Sequence, residues 1–305
     1  MSSTSKETYI CDLDVGHIDQ PLLLTGAAIH ETRKGDPYLR CTLADKTGEL
    51  AGIKWDTDEA PEAGLYWVTG LVESYQGGLQ IKIDGLGNAH SEDLSEFIQS
   101  ADVDHLEQEL DYLLGALEGE VGDVVRCIFA DDEIREAFLV APAATKNHHT
   151  YRGGLADHTI SMARLADKVA THYGEDVDQD LLLAGALLHD LGKVRELEKV
   201  GLEWVRDTRG ELVGHIAECT AMIHDACLAC LASDRTRDRL MHMVLSHHGK
   251  LEWGSPVKPK LIEAQLLHLI DMMDSRVEIF RGATDGLEEG ELSERVWALG
   301  GKVVG

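Results

Sequence analysis

Leu181-Leu182-Leu183-Ala184-Gly185-Ala186-Leu187-Leu188-His189-Asp190-Leu191-Gly192-Lys193 is the stretch that decides how this chain is read. The run from Leu181 to Leu188 leaves a helix no polar face, so the segment belongs inside a helical core. A charged pair, His189-Asp190, stands at its end, where an uncompensated carboxylate would be costly to desolvate. A metal ion is the economical partner, because near a helix end two adjacent side chains can converge on one ion.

Upstream, Gly153-Gly154-Leu155-Ala156-Asp157-His158 leads into a helix whose apolar stripe is Met162, Leu165 and Val169. His158 extends that stripe backwards by one turn and points inward. A single inward histidine is more often a hydrogen-bonded core residue than a ligand, and the pair at 189–190 reverses that weighting. Downstream, Leu269-Ile270-Asp271-Met272-Met273-Asp274 reads as part of a helix with Ile262, Leu266, Leu269 and Met273 inward. Asp271 then needs a base or a cation. Asp274 competes with it and has a salt bridge to Arg276 as its simpler role.

The N-terminal third has a different period. Short apolar segments alternate with turn residues: LLLTGAAI (22–29), YLRCTLAD (38–45), ELAGIKW (49–55), LYWVTGLVES (65–74) and LQIKIDGL (79–86). Such spacing predicts a small five-stranded barrel of the OB-fold type, with a hairpin turn at Asp45-Lys46-Thr47-Gly48. Beyond Asn88 the period becomes helical, beginning with Phe97, Leu106, Leu110, Leu113 and Leu114. The chain is therefore multi-domain: an N-terminal tail (1–20), a small all-β OB-fold barrel (21–90), an all-α domain (91–290) and a C-terminal tail (291–305). Tyr38, Trp55 and Tyr75 are candidates to stack single-stranded bases on the barrel, with Lys34, Lys54 and Lys82 along the phosphates. The alternative for such aromatics is the barrel core.

Composition narrows the class. With 305 residues, 44% hydrophobic and 27% charged, the chain reads as soluble and globular. Its longest apolar run is far shorter than the roughly 18 residues of a membrane span. No signal peptide is evident at the N-terminus, so the cytoplasm is the expected compartment and no membrane partner is expected. Cys227 and Cys230 form a lone CxxC in a helical pattern and are read as buried small hydrophobes. The net charge of −27 argues against non-specific nucleic-acid binding unless divalent cations reverse the sign locally. It is also the charge expected of a protein adapted to high internal salt.

His158, the His189-Asp190 pair and Asp271 together resemble the signature of the HD superfamily of metal-dependent phosphohydrolases. The phrase Ala141-Pro142-Ala143-Ala144 through Asn147-His148-His149-Thr150-Tyr151-Arg152-Gly153-Gly154-Leu155 resembles the approach to the first histidine in the YhaM family. So does Ser293-Glu294-Arg295-Val296-Trp297-Ala298-Leu299. That family joins an OB-fold to an HD domain and is known for 3′-5′ exoribonuclease activity; the resemblance runs from about Leu22 to Leu299.

The resemblance implies further roles. His215 and His247 supply a second ion, and Asp190 bridges the two. Mixed imidazole and carboxylate ligation suits manganese, iron, cobalt or zinc better than an all-oxygen magnesium cage, and the family favours manganese. Asp190 and Lys193 become the catalytic residues, Lys193 facing a phosphate oxygen; on spacing alone, Lys193 is equally a helix-terminal cation facing the dipole. His248 is expected to contact substrate, since one of two adjacent histidines normally turns away from a site that its neighbour occupies. His149, which with His148 precedes the first histidine by about one loop, is read equally as a substrate contact or as a residue of helix capping and packing, and Tyr38 and Lys34 on the barrel complete the substrate contacts. His172, His224, His242 and His268 are read as structural. Single-stranded RNA, or DNA, is the expected partner, and homo-oligomerisation stays open. Two alternatives remain: a phosphohydrolase of free nucleotides or cyclic dinucleotides, and a nucleic-acid-binding module without catalysis. The segment after His248 lacks the Gly-Tyr-Pro that marks cyclic-dinucleotide enzymes.

Overall fold

A computed structural model describes residues 6, 8–32, 34–75, 78–91, 94–144, 151–200 and 203–305. The chain divides into two compact units: residues 1–100 with 199–203, and residues 101–198 with 204–305.

In the first unit, β1 (Gly16–Glu31), β2 (Pro37–Asp45), β3 (Gly48–Trp55), β4 (Gly64–Tyr75) and β5 (Gly78–Asn88) form a closed barrel in the order β1-β2-β3-β5-β4. β4 pairs back onto β1 from Gly16↔Val72 to Leu24↔Gly64, and β3 and β5 run parallel. The period-2 alternation seen in the sequence is what fills the interior: Leu22, Leu24, Leu39, Leu43, Val68, Val72 and Ile81 are buried there. β1 begins at Gly16, inside the stretch read as tail. Phe97, expected to open the helical pattern, instead packs with Leu23 and Ala44 in a small separate cluster of this unit. Leu23 alternates with the inward Leu22 and Leu24, so its side chain needs a cover on the opposite face.

The second unit is helical: α1 (Val103–Ala116), α2 (Gly119–Phe129), α3 (Asp132–Val140), α4 (Gly154–Tyr173), α5 (Gln179–Leu188), α6 (Lys193–Glu196), α7 (Thr208–Val213), α8 (His215–Ala229), α9 (Asp234–Ser246) and α10 (Ile262–Thr284). Side chains of Asp102, Asp131, Asp178, Asp207 and Ser233 accept hydrogen bonds from first-turn amides of α1, α3, α5, α7 and α9, as N-caps should. Residues 181–188 of α5 are all buried, and α5 is the central helix of one continuous core. Two short strands, β6 (Leu197–Val200) and β7 (Glu203–Arg206), pair within a stretch read as helical. The segment read as a C-terminal tail closes on itself through the bridges Leu292↔Val304 and Val296↔Gly301.

α10 corrects one reading. Ile262, Leu269 and Met273 are 49%, 48% and 53% exposed, whereas Ala264, Leu267 and Ile270 are buried. The inward face is rotated from the one inferred, because α10 is apolar on several sides and periodicity there cannot choose a face. Among the described residues no helix is long and apolar enough to cross a membrane.

Candidate metal centre

α5 ends at Leu188, and the chain turns sharply through His189-Asp190-Leu191-Gly192 into α6. The turn lets neighbouring side chains meet: His189 Nε2 lies 3.3 Å from Asp190 Oδ2. Gly192 makes the next contact possible, because a Cβ there would stand 1.9 Å from the carbonyl oxygen of His215. Only glycine admits the start of α8 that closely, and α8 begins with His215. His247 and His248 follow the end of α9, while His158 and Asp271 come from α4 and α10.

Two groups result. One ligand atom each from His158, His189 and Asp190 lie within 4.8 Å of one another, as do those from His215, His247 and His248. Asp190 stands between them. Its Oδ2 faces His189, and its Oδ1 lies 3.4 Å from His215 Nε2 and 3.7 Å from His247 Nε2. Asp271 Oδ1 is 3.5 Å from His158 Nε2. His248 does not turn away as expected; its ring centroid is 4.1 Å from that of His247 and 5.6 Å from that of His215.

The outer ring nitrogens are already committed. Nδ1 of His189 donates to the Ala186 carbonyl (2.8 Å) and Nδ1 of His247 to the Val244 carbonyl (2.6 Å). His158 Nδ1 is 2.7 Å from Asp274, and His215 Nδ1 is 2.8 Å from Glu196. Each ring is thereby fixed with Nε2 toward the centre, the arrangement that metal-ligating histidines use. At the centre itself, His189 Nε2, Asp190 Oδ1, His215 Nε2, His247 Nε2 and His248 Nδ1 are buried and have no hydrogen-bond partner. Such a convergence of orphaned donors and acceptors is unfavourable unless cations complete it, so these residues fit divalent metal ions.

Charge supports the same arrangement. Burial alone would raise the Asp190 carboxyl, yet the Lys193 ammonium at 2.6 Å and the neighbouring imidazoles hold it well below the usual carboxylate range. Burial pushes His247 down to about 3, which leaves a neutral ring with a free lone pair. Burial opposes protonation of His158 as well, but Asp271 and Asp274 outweigh it and raise that imidazole to about 9. Asp271 moves the other way, held low against burial by its bond to His158. Lys193 is the first residue of the four-residue α6, and its Nζ also donates to the Ala143 carbonyl.

Glu196 escaped the sequence reading because Lys193-Val194-Arg195-Glu196 looks like a solvated face, though Glu196 is 2% exposed. Asp274, for which a salt bridge to Arg276 is the simpler expectation, instead anchors His158, aided by Ser161, whose hydroxyl donates to Asp274 at 2.5 Å. The signal was present: Asp274 is three residues after Asp271 on one helix face. His268 donates to the His247 carbonyl, and His242 accepts from the Lys260 amide, in keeping with structural roles. His172 sits in the last turn of α4 and His224 is exposed on α8. His149 lies outside the described residues, as does His148.

On the barrel, Tyr38 is the middle of a cross-strand row. It pairs with His30 on β1 and Trp55 on β3, with ring centroids 5.7 and 5.0 Å apart. Trp55 is 46% exposed, so the row is not core. Lys34 is exposed in the β1–β2 connection. His30 and Arg40 line a shallow groove of about 490 Å³ across β1, β2 and β3; neither was singled out from the sequence.

The family model for the HD domain matches residues 155–276, which span the stretch from His158 to Asp271. No solved structure matches the chain. Among curated proteins, the 3′-5′ exoribonuclease YhaM of Geobacillus sp. (strain WCH70) is 35% identical, covering 95% of this chain and 92% of the relative. That of Shouchella clausii (strain KSM-K16) is 36% identical over 92% and 91%. The Bacillus subtilis (strain 168) protein is 32% identical over 92% of each. At that identity over nearly the full length of both partners, with an HD domain across the metal centre, the chain belongs to the YhaM family.

Proposed function

We propose that this protein is a metal-dependent 3′-5′ exoribonuclease acting on single-stranded RNA, with single-stranded DNA as a second substrate. One observation carries the reading: five buried, unpartnered ligand atoms converge around Asp190 in a chain whose relatives bear that activity in their names. His158, His189, Asp190 and Asp271 hold one divalent cation, and Asp190, His215, His247 and His248 hold the second. Manganese is the first choice, with iron, cobalt and zinc as alternatives. When bound, the cations supply an activated water and neutralise charge developing on the phosphate.

The chain's own residues set up the rest. Asp190 stays anionic at neutral pH and His247 stays neutral, so both offer electron pairs without a prior proton loss. Lys193 fixes Asp190 and places a positive charge where a phosphate oxygen gains negative charge. His30, Tyr38 and Trp55 stack bases without regard to sequence, while Lys34 and Arg40 supply cations against a chain of net charge −27. Six free thiols fit a reducing cytoplasm as the place of action.

The test is direct. Purified protein incubated with end-labelled single-stranded RNA and manganese shortens the strand from its 3′ end, and Asp190→Ala abolishes the shortening. Folded, metal-loaded protein that leaves RNA and DNA oligonucleotides intact overturns the proposal.

A further inference from the structure

A cavity of about 430 Å³ opens beside the second histidine group, and His215 and His248 line both. Its remaining wall is largely apolar: Leu212 and Val213 from α7, Ile216 from α8, Leu245 from α9, and Pro256. Leu212 is 79% exposed and Val213 46%, an apolar surface that the fold itself leaves uncovered. Singly exposed apolar residues are ordinary, but a group of them forming the wall of a concavity next to a reactive centre marks a binding site.

Among the polar groups of the lining, Glu211 is exposed, and Glu196, Arg206 and His215 are spent on one another. Glu196 accepts from Arg206 through Oε1 at 2.8 Å and holds His215 through Oε2 at 2.8 Å. What is left to meet a ligand is mainly hydrocarbon, with the His248 ring at the inner end. The volume lies near the lower end of the roughly 300–1,000 Å³ that small-molecule sites span, so it suits a single nucleoside and not a strand.

We infer that this cavity receives the 3′-terminal nucleobase of the substrate, so that the phosphate 5′ to that nucleoside falls at the metal centre. The inference rests on the exonuclease reading and adds to it where the last base goes. Because the contact is apolar and makes no use of base edges, all four bases are accepted alike.

The test compares adenosine 5′-monophosphate with ribose 5-phosphate, which lacks only the base, by calorimetric titration of the manganese-loaded full chain. The monophosphate binds at least about tenfold more tightly. Val213→Trp, which fills the cavity, and Leu212→Asp, which makes its rim polar, each bring the two ligands to within about threefold. Both positions are exposed, and unchanged melting temperatures show that the variants fold. Equal binding of the two ligands by the wild type, undetectable monophosphate binding at millimolar concentration, or folded variants that keep the preference overturn the inference. RNA shortening by the same preparations separates the two ideas: shortening without a base preference removes the pocket alone, and a base preference without shortening removes the nuclease reading alone.

Discussion

His215 Nδ1 and Glu196 Oε2 are 2.8 Å apart, and Glu196 is buried at the end of a four-residue helix whose first residue, Lys193, binds Asp190. One short helix therefore orients both a member of the second histidine group and the carboxylate between the two groups. The Glu196 carboxylate, held low by its bond to His215 in spite of burial, keeps the proton on Nδ1 and leaves Nε2 free to face the centre.

Replacing Glu196 by Gln removes that negative charge and loosens the ring. With two divalent ions bound as proposed, the expected loss is about 10–100-fold in affinity for one of them, in line with other outer-sphere partners of metal-binding histidines. Isothermal titration with manganese reads it directly, and raising the metal concentration restores RNA shortening. Two unchanged binding steps would show that Glu196 does not orient His215.

Asp274→Asn acts on the other group. His158 loses its anionic Nδ1 partner, while Ser161 keeps a hydrogen-bond acceptor. Affinity for the ion proposed at His158 and His189 falls by about 10–100-fold and the second binding step is unaffected. Equal weakening of both steps would mean that the two groups act as one site.

Gly192→Ala places a methyl group 1.9 Å from the His215 carbonyl oxygen and 2.8 Å from the Cys219 amide. The backbone cannot yield as a side-chain tip would, so the start of α8 must shift. A destabilisation of about 1–3 kcal/mol or more is expected, with metal binding lost at the His215 group. Thermal melting and manganese titration check it; a variant that keeps the wild-type melting temperature and both ions would contradict the close approach.

Tyr38→Ala breaks the ring row on the barrel. Loss of about 1–3 kcal/mol of stacking weakens single-stranded RNA binding by roughly 5–150-fold. Hydrolysis of a small phosphodiester that never reaches the barrel stays unchanged. Fluorescence anisotropy with a labelled oligonucleotide measures the first effect, and unaltered affinity would return Tyr38 to a purely structural role.

Asp45 gives the barrel a pH-dependent element. Its buried carboxylate accepts from the amides of Ile10 (2.7 Å) and Thr47 (2.8 Å) and pairs with Lys6 at 2.7 Å, and these bonds hold it below its ordinary 3.8 despite burial. A carboxylate with a depressed folded value stabilises the native state above its unfolded value and loses that contribution as pH falls through the folded one. Asp45→Asn should therefore lower the urea midpoint at pH 7, and the gap from wild type should narrow as the solution is taken below pH 3.8. A gap of constant size across that range would show that the ionised form is not what matters.

The barrel was legible because its strands obey a period of two with turn residues between them. Leu22, Leu24, Leu39 and Leu43 are buried as that alternation requires. His158, His189, Asp190 and Asp271 could also be found, since each is a polar residue in an otherwise apolar context, and the structure brings all four to one place. Phe97 and α10 are different. An isolated apolar residue in a polar stretch carries no period, and a helix apolar on several sides carries no phase.

The sequence by itself determined the two architectures and singled out the inner candidate ligands, because burial of charge is written into local hydrophobic context. Only the tertiary structure decided which nitrogen of each histidine points inward, that Glu196 and Asp274 stand behind them, that His248 joins its neighbour, and that α7 walls a cavity beside the centre. Those facts depend on contacts between residues far apart along the chain, such as His158 with Asp274 and Gly192 with His215, and no local pattern records a distance that folding alone sets.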